Sequence, residues 1–515
     1  MKLAELIEEV GAGNLRALHA EGLASGDMQV TGIYYRSDLV KPGGVFFAIA
    51  GSRTDGHDFA EDAVARGAAA VVAQRPLETN CCVIEVKNPR LALAETSAAF
   101  YGHPSRKMTL IGVTGTNGKT TTAFLLDHIL RQAGLNSGVI GTVNYHYAGR
   151  TVKSGLTTPE APDLQGMLAE MQEAGVTHVI LEVSSHGVAL ERIAGCRFAA
   201  GVFTNLSQDH LDFHGDMDSY WAAKKRFFTD YTQGSGACAV INIDDTKGRE
   251  LAAGLESVRQ IRVGLSDAAS IRATELRFDQ SGISGSLMLE GVPYPFHSNL
   301  VGQFNIENIL CAAGAASALG VEPELLRRGI ETFVSVPGRM ERIPNTLERH
   351  VFVDFSHTPA ALQNVLLTLK EIVEGRVICV FGCGGDRDPG KRPSMGKIAA
   401  RYSDLAVVTS DNPRTEEPER IIEDIVKGFS GLTRISPVSL TPDFEPGVFV
   451  VEPDRREAIR LGIRASKPGD AVLIAGKGHE TYQIIGKDTV AFDDRLEAEQ
   501  VLSWCMNDKT HTVDN

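Results

Sequence analysis

Lys119 lies between Gly118 and three threonines in Ile-Gly-Val-Thr-Gly-Thr-Asn-Gly-Lys-Thr-Thr-Thr, residues 111–122. A lysine and a hydroxyl at the start of a helix, behind a glycine-rich turn, suit nucleotide phosphates. Backbone N–H groups at the helix start attract phosphate oxygens, the lysine adds a full charge over the β- and γ-phosphates, and Thr120 is a Mg²⁺ ligand candidate. The usual phosphate loop asks for a glycine at position 113. Here that position is Val113, flanked by Gly112 and Gly115. Residues alone leave two readings, a phosphate loop with different punctuation or a structural turn. Glu182 ends an apolar run, Thr-His-Val-Ile-Leu-Glu-Val-Ser-Ser-His (177–186). A nucleotide-hydrolysing site needs such an acid on a neighbouring strand, and a buried carboxylate without a partner is costly. Asp209, His210, Asp212 and His214 crowd one turn, readable as a metal region or as a solvated surface.

Two further loops combine arginines with acids. They are Gly-Cys-Gly-Gly-Asp-Arg-Asp-Pro-Gly-Lys-Arg-Pro (382–393) and Ser-Asp-Asn-Pro-Arg-Thr-Glu-Glu-Pro (410–418). An arginine fork reads a carboxylate bidentately, and neighbouring acids read an ammonium. Arg387, Asp411, Asn412, Arg414 and Glu480 together suit a zwitterionic amino acid. A proline turn with a solvated arginine is the blander alternative.

Positioning these residues requires strand-to-loop-to-helix units. Apolar runs alternate with helical stretches, which predicts an α/β protein. At roughly 100–200 residues per domain, the 515 residues divide into about three domains, bounded at 1–107, 108–337 and 338–515. The first holds runs at 45–50 and 68–73 with a helix between them. The second opens with a strand at 108–114 leading into the glycine loop and a helix over 120–130. A Pro-Gly hinge is expected at 336–342. The third has strands at 351–355, 377–382, 405–410 and 471–476, each leading into a loop with Asp, Gly or Ser. Ligands bind at such carboxyl ends in parallel sheets. A polar, frayed tail is expected from Asn507 to Asn515.

Composition narrows the function classes. A formal net charge of −14 argues against a nucleic-acid-binding surface, which needs a positive field. The eight cysteines lack Cys-x-x-Cys spacing, so neither a zinc site nor a disulfide framework is signalled. Cys81 and Cys82 are expected to be small apolar residues in a buried strand. The first ten residues read as an acidic amphipathic helix rather than a signal peptide, and no apolar run approaches the roughly 20 residues of a membrane helix. A cytoplasmic chain without membrane insertion is expected.

Five ordered motifs then resemble the Mur ligase family: Gly115–Thr121, Glu182–His186, Thr204–Gly215, Gly302–Asn308 and Pro337–Glu341. The resemblance spans essentially the whole chain. It implies an N-terminal UDP-sugar-binding α/β domain, a central P-loop ATPase domain with a mostly parallel sheet, and a C-terminal Rossmann-like domain for the incoming amino acid. It also implies that ATP activates a carboxylate as an acyl phosphate, which an amine attacks. Under this resemblance Gly115, Thr116, Asn117, Gly118, Lys119, Thr120 and Thr121 hold ATP, with Asn308 at the adenine and Arg339 and Asp354 adding phosphate and ribose contacts. Lys119, Glu182, His210 and Lys224 are the catalytic set. Mg²⁺ takes Thr120, Glu182, His210 and a carboxylated Lys224. On residues alone, Lys224 is a routine helix-surface lysine.

Asp411-Asn412-Pro413-Arg414 resembles the signature of family members that add meso-2,6-diaminopimelate, whose distal end carries a carboxylate and an ammonium. Arg387, Gly476 and Glu480 complete that implied set. The implied acceptor is UDP-N-acetylmuramoyl-L-alanyl-D-glutamate, touched by Tyr35, Ser37, Ser52, Arg53, Thr54, Leu156, Thr157, Thr158, Ser184, Leu190 and Arg192. Ser37 is flanked here by Arg36 and Asp38, where the family has the opposite charges, and Leu156 and Leu190 stand where some relatives have Asn and Gln. A monomer acting on small molecules is expected. The alternatives are a sister ligase adding lysine or another amino acid, and a non-catalytic nucleotide-binding switch.

Overall fold

The computed structural model describes residues 1–9, 11, 14–19, 28–51, 54–234 and 236–510. They form a mixed α/β protein built on three large sheets, as the alternation of apolar runs and helical stretches predicts. The residues pack as two compact units. The first is Met1–Arg272, Met288–Val292 and Glu307–Gly329, and the second is Ala273–Leu287, Pro293–Ile306 and Ile330–Asn515.

In the first unit, an N-terminal sheet runs Leu15–His19, Cys82–Val86, Ala70–Ala73, Val45–Phe47, Ile33–Tyr34. Only its first pair is antiparallel. Cys81 and Cys82 are buried as expected, and the cysteines are free thiols. The larger sheet places Thr109–Thr114 between Ala200–Phe203 and His178–Glu182. Cys238–Asn242 and Arg259–Gly264 continue one side in parallel. Ser137–Ile140 continues the other, and the hairpin Asn144–Tyr147/Arg150–Lys153 closes that edge antiparallel. Parallel strands covered by helices on both faces read as continuous apolar runs rather than alternating ones. Leu110, Ile111, Val113, Val179, Ile180 and Leu181 are accordingly buried.

The second unit carries a seven-stranded sheet in the order Glu341–Ile343, His350–Asp354, Ala471–Ala475, Val377–Phe381, Leu405–Val408, Val448–Val451, Thr433–Ile435. Only the first pair is antiparallel. Helix Asp494–Thr510 runs well into the segment read as a frayed tail, because its acidic first turn and buried Ala498, Val501 and Leu502 anchor it. Among the described residues, no helix is long and apolar enough to cross a membrane.

Candidate active site

The glycine turn does what its odd spacing left open. Val113 stays in the strand, fully buried. Gly115 and Gly118 have φ of 150° and 84°. A Cβ on Gly115 would lie 1.8 Å from Thr204 Oγ1, and one on Gly118 2.1 Å from Asn308 Oδ1. Glycine is therefore required by both conformation and space, and the first glycine of the usual spacing is not. Helix Lys119–Gln132 begins without a side-chain cap, so its first N–H groups meet no capping side chain. Lys119 Nζ folds back onto Gly115 O at 2.9 Å and Thr116 O at 2.8 Å.

Glu182 is fully buried at the end of the adjacent strand. Its carboxylate accepts from Thr120 Oγ1 at 3.0 Å, Thr142 N at 2.9 Å and Thr142 Oγ1 at 3.0 Å. These donors make the burial affordable. The loop is braced from Thr204–Ser207. Asn117 N donates to Asn205 Oδ1 at 3.0 Å, and Thr116 Oγ1 to Ser207 O at 3.1 Å. Thr121 is buried in the first helical turn. Asn308 is buried and accepts from Thr122 Oγ1 at 3.4 Å.

Lys224 is 1% exposed, which overturns its reading as a routine surface lysine. Its Nζ donates to Gly115 O at 2.7 Å and lies 4.6 Å from the Tyr220 ring centroid. Burial, then the charge of Lys119, holds this amine well below its ordinary pKa. His210 precedes the short helix Leu211–His214 at φ 53°. Its ring is 5.0 Å from His186 and 6.1 Å from Tyr220, and burial lowers its pKa. Among the described residues, no group of three or more His, Cys, Asp or Glu side chains could hold a metal. Thr120 and Glu182 offer hard oxygen donors side by side, which fits Mg²⁺, a cation that keeps waters and takes substrate phosphates as ligands.

Thr157, Thr158, Ser184 and Arg192 gather around the end of the Glu182 strand. Thr157 Oγ1 meets Thr142 Oγ1 at 3.0 Å, and Thr158 Oγ1 donates to Glu182 O at 2.7 Å and meets Ser184 Oγ at 3.0 Å. Arg192 donates to Thr158 O at 3.0 Å and pairs with Glu160 at 2.7 Å. Leu156 is exposed, its carbonyl accepting from Tyr145 OH at 2.7 Å. Leu190 ends helix Ser185–Ala189. Tyr35, Ser37 and Thr54 line a cavity of about 270 Å³ with Arg90 and Glu160. Tyr35 donates to Asp163 at 2.7 Å. Ser52 and Arg53 lie outside the described residues.

In the second unit, Asp411, Asn412 and Pro413 are buried at the end of one strand, with Gly476 and Glu480 following another. Asn412 Nδ2 donates to Glu480 Oε2 at 2.8 Å. Lys477, fully buried, donates to Asn412 Oδ1 and Glu480 Oε2, both at 3.1 Å. Asp411 Oδ1 is buried with no hydrogen-bond partner. Arg414, at φ 54°, is tied through its backbone to Ile484 O at 3.0 Å and through Nη1 to Gly385 O at 2.7 Å. Arg387 is exposed and donates to Asp386 O at 3.1 Å. Both oxygens of Asp354 accept backbone N–H groups, from Met340 at 2.7 Å and Ser356 at 2.8 Å. Arg339 lies 4.6 Å from the Phe355 ring centroid.

The UDP-N-acetylmuramoyl-L-alanyl-D-glutamate–2,6-diaminopimelate ligase of Geobacter metallireducens is 46% identical over 504 residues, 96% of each chain. The chain belongs to the Mur ligase family. Its domain descriptions match in order: the catalytic domain over residues 29–101, the middle domain over 113–316 and the glutamate ligase domain over 338–478. The ligase of the same name from Gloeobacter violaceus is 45% identical, covering 98% of both chains. A solved ligase structure of that name has a TM-score of 0.68 at 32% identity, covering 94% of this chain and 97% of the other.

Sequence reasoning missed several residues of this Mur ligase. Thr142, which gives Glu182 two donors, follows the strand Ser137–Ile140 as an unremarked Gly-Thr. Asn205 and Ser207 lie inside the Thr204–Gly215 motif, whose resemblance assigns them no role. Lys477 stood beside Glu480 in Gly-Lys-Gly-His-Glu. Glu160, Asp163 and Arg90 carry no local signal at all.

Proposed function

We propose that this chain is the ATP-dependent ligase that joins meso-2,6-diaminopimelate to the D-glutamate carboxylate of UDP-N-acetylmuramoyl-L-alanyl-D-glutamate, a cytoplasmic step in peptidoglycan precursor synthesis. The observation that carries the reading is the buried Glu182–Thr120 pair at the head of the phosphate loop, in a chain whose full-length relatives bear that ligase name. The reading divides the chain into a UDP-sugar domain (1–107), an ATP-binding ligase domain (108–337) and an amino-acid domain (338–515), working as a monomer.

The roles follow from the groups present. Lys119 leaves its carbonyl partners for the γ-phosphate and stabilises the charge that develops as the phosphoryl group moves. Gly115 to Thr121 cradle the phosphates, with Asn308 beside the loop. Thr120 and Glu182 would hold Mg²⁺, joined by His210 and a carboxylated Lys224, and the ion would neutralise phosphate charge. Thr157, Thr158, Ser184 and Arg192 orient the acceptor dipeptide. Its carboxylate attacks the γ-phosphorus, giving an acyl phosphate and ADP. The neutral amine of the incoming amino acid then attacks the acyl carbon, phosphate leaves and the nitrogen loses a proton. Arg414 and Arg387 bind the distal carboxylate, and Asp411 and Glu480 the ammonium. Burial lowers the pKa of Lys224, which favours the amine form that CO₂ carboxylates with loss of one proton.

The test is phosphate release and product mass with ATP, Mg²⁺, acceptor and either diaminopimelate or lysine. Release should require acceptor and diaminopimelate together, and the product should gain one diaminopimelyl residue. Preference for lysine would point to a sister ligase. Phosphate release that ignores the amine would point to a nucleotide switch.

A further inference from the structure

Among the described residues lining the cavity under Tyr35 is a cation whose pairing is incomplete. Arg90 lines that cavity from the start of helix Pro89–Phe100. Its side chain is 24% exposed, and its nearest carboxylate oxygen, on Glu160, is 3.7 Å away. Among the described residues that guanidinium makes no hydrogen bond. The neighbouring cations differ. Arg36, also on the cavity wall, is gripped by Asp38 through two bonds of 3.1 and 2.7 Å. Arg192 takes Glu160 at 2.7 Å. Glu160 gives Oε1 to Arg192 and only a loose 3.7 Å ion pair through Oε2 to Arg90, whose donors line the cavity without a hydrogen bond.

The lining also includes apolar and aromatic groups, Phe46, Ile49 and the exposed ring of Phe59. A flat base suits those groups, and a guanidinium fork suits paired phosphate oxygens. The Glu160 end of the cavity is shared with Arg192, Thr158 and Ser184, where the acceptor peptide is placed above. We propose that Arg90 binds the diphosphate of the nucleotide-sugar, with the base against Phe59 and the sugar-peptide running past Glu160 toward Arg192. This rests on the function proposed above and adds a specificity residue to it.

The test compares UDP with uridine as binding probes, by calorimetry on the full chain and on Arg90→Ala. Loss of a charge-assisted contact should weaken UDP by about ten- to a hundredfold and leave uridine nearly unchanged. In ligation assays the KM for the nucleotide-sugar should rise by a similar factor, with kcat and the KM for ATP little altered. Arg90→Lys should recover part of the loss, since it restores charge without the fork. Equal weakening of UDP and uridine would show that Arg90 only shapes the cavity and would overturn the proposal, as would unchanged UDP binding. If UDP discrimination holds while the chain fails to ligate diaminopimelate, the reaction assignment falls and the role of Arg90 stands.

Discussion

The strand-end loops of this molecule and the packed ground beneath them hold their cations differently. At the phosphate loop, Lys119 donates to the carbonyls of Gly115 and Thr116. In the second unit, Arg414 and Arg387 donate to the carbonyls of Gly385 and Asp386. Beneath that loop, Arg392 pairs with Glu416 at 2.8 Å and Asp424 at 3.1 Å, and Arg455 pairs with Asp494 at 2.7 Å with both side chains fully buried. A carbonyl offers partial charge and yields to an anionic ligand. A carboxylate offers a full charge, and losing it leaves a buried ion unpaired. Among Lys119, Arg387, Arg414, Arg392 and Arg455, the partner type separates cations proposed to meet a substrate anion from cations committed to the fold. Arg192 and Lys477 pair with carboxylates at strand ends and stand outside that rule.

The largest effect should come from breaking a committed pair. Arg455→Met strands Asp494 and should lower unfolding free energy by about 3–5 kcal/mol, measured by denaturant titration. Replacing both partners with apolar residues should be far milder, and KM values should survive wherever the chain folds. A mild single mutant would refute the distinction.

Lys119→Ala should behave oppositely. Removing a charge aimed at the transferring phosphoryl group should reduce kcat by about 10²–10³-fold. Stability should stay within about 0.5 kcal/mol, as for substitutions that break no committed pair. Steady-state kinetics beside a melting curve would separate the two, and a near-normal rate would remove the phosphate-loop role.

The two classes were not equally legible in the sequence. Lys119, Thr120 and Glu182 sit in short stretches whose strand, turn and helix are encoded locally, so type and spacing sufficed to place them on one strand–turn–helix unit and its neighbouring strand. Lys224 was unreadable without the family resemblance, because its burial depends on a carbonyl 109 residues away in sequence. Arg455 and Asp494, 39 residues apart, gave no signal for the same reason. Arg90 and Glu160 meet only because helix Pro89–Phe100 packs beside helix Ala161–Glu173. The α/β alternation was plain, whereas the persistence of the last helix to Thr510 depends on the tertiary anchoring of Ala498, Val501 and Leu502.

Arg414→Ala tests a carbonyl-held cation that selects rather than transfers. A bidentate carboxylate contact is worth enough that its loss should raise the diaminopimelate KM by about 10²-fold. The KM for ATP should hardly move. The ratio of kcat/KM for diaminopimelate over lysine should shrink, mainly through the former, because lysine leaves the arginines without an anion. An unchanged ratio would mean that Arg414 belongs with the structural cations after all.

His479 belongs to neither class, and its prediction is the smallest. It follows Lys477 in the same strand-end loop, and its Nδ1 is buried without a hydrogen-bond partner. Burial, followed by the charges of Arg339 and Arg495, pushes its pKa down from 6.5 to about 3. The folded chain thus refuses a proton that the unfolded chain accepts. With the folded pKa depressed, the stabilising contribution is complete above pH 6.5 and is lost progressively as pH falls toward about 3. Between pH 7.5 and 5.5 this one group should remove about 1.4 kcal/mol. His479→Gln cannot take up the proton, so its stability should fall less steeply over that interval even if its absolute stability is lower. Parallel stability–pH curves for the two proteins would show that the imidazole titrates freely in the folded chain. A shallower curve for His479→Gln would show that a loop already holding Lys477 and flanked by Arg339 rejects a further positive charge, so that its cations are limited in number as well as sorted by partner.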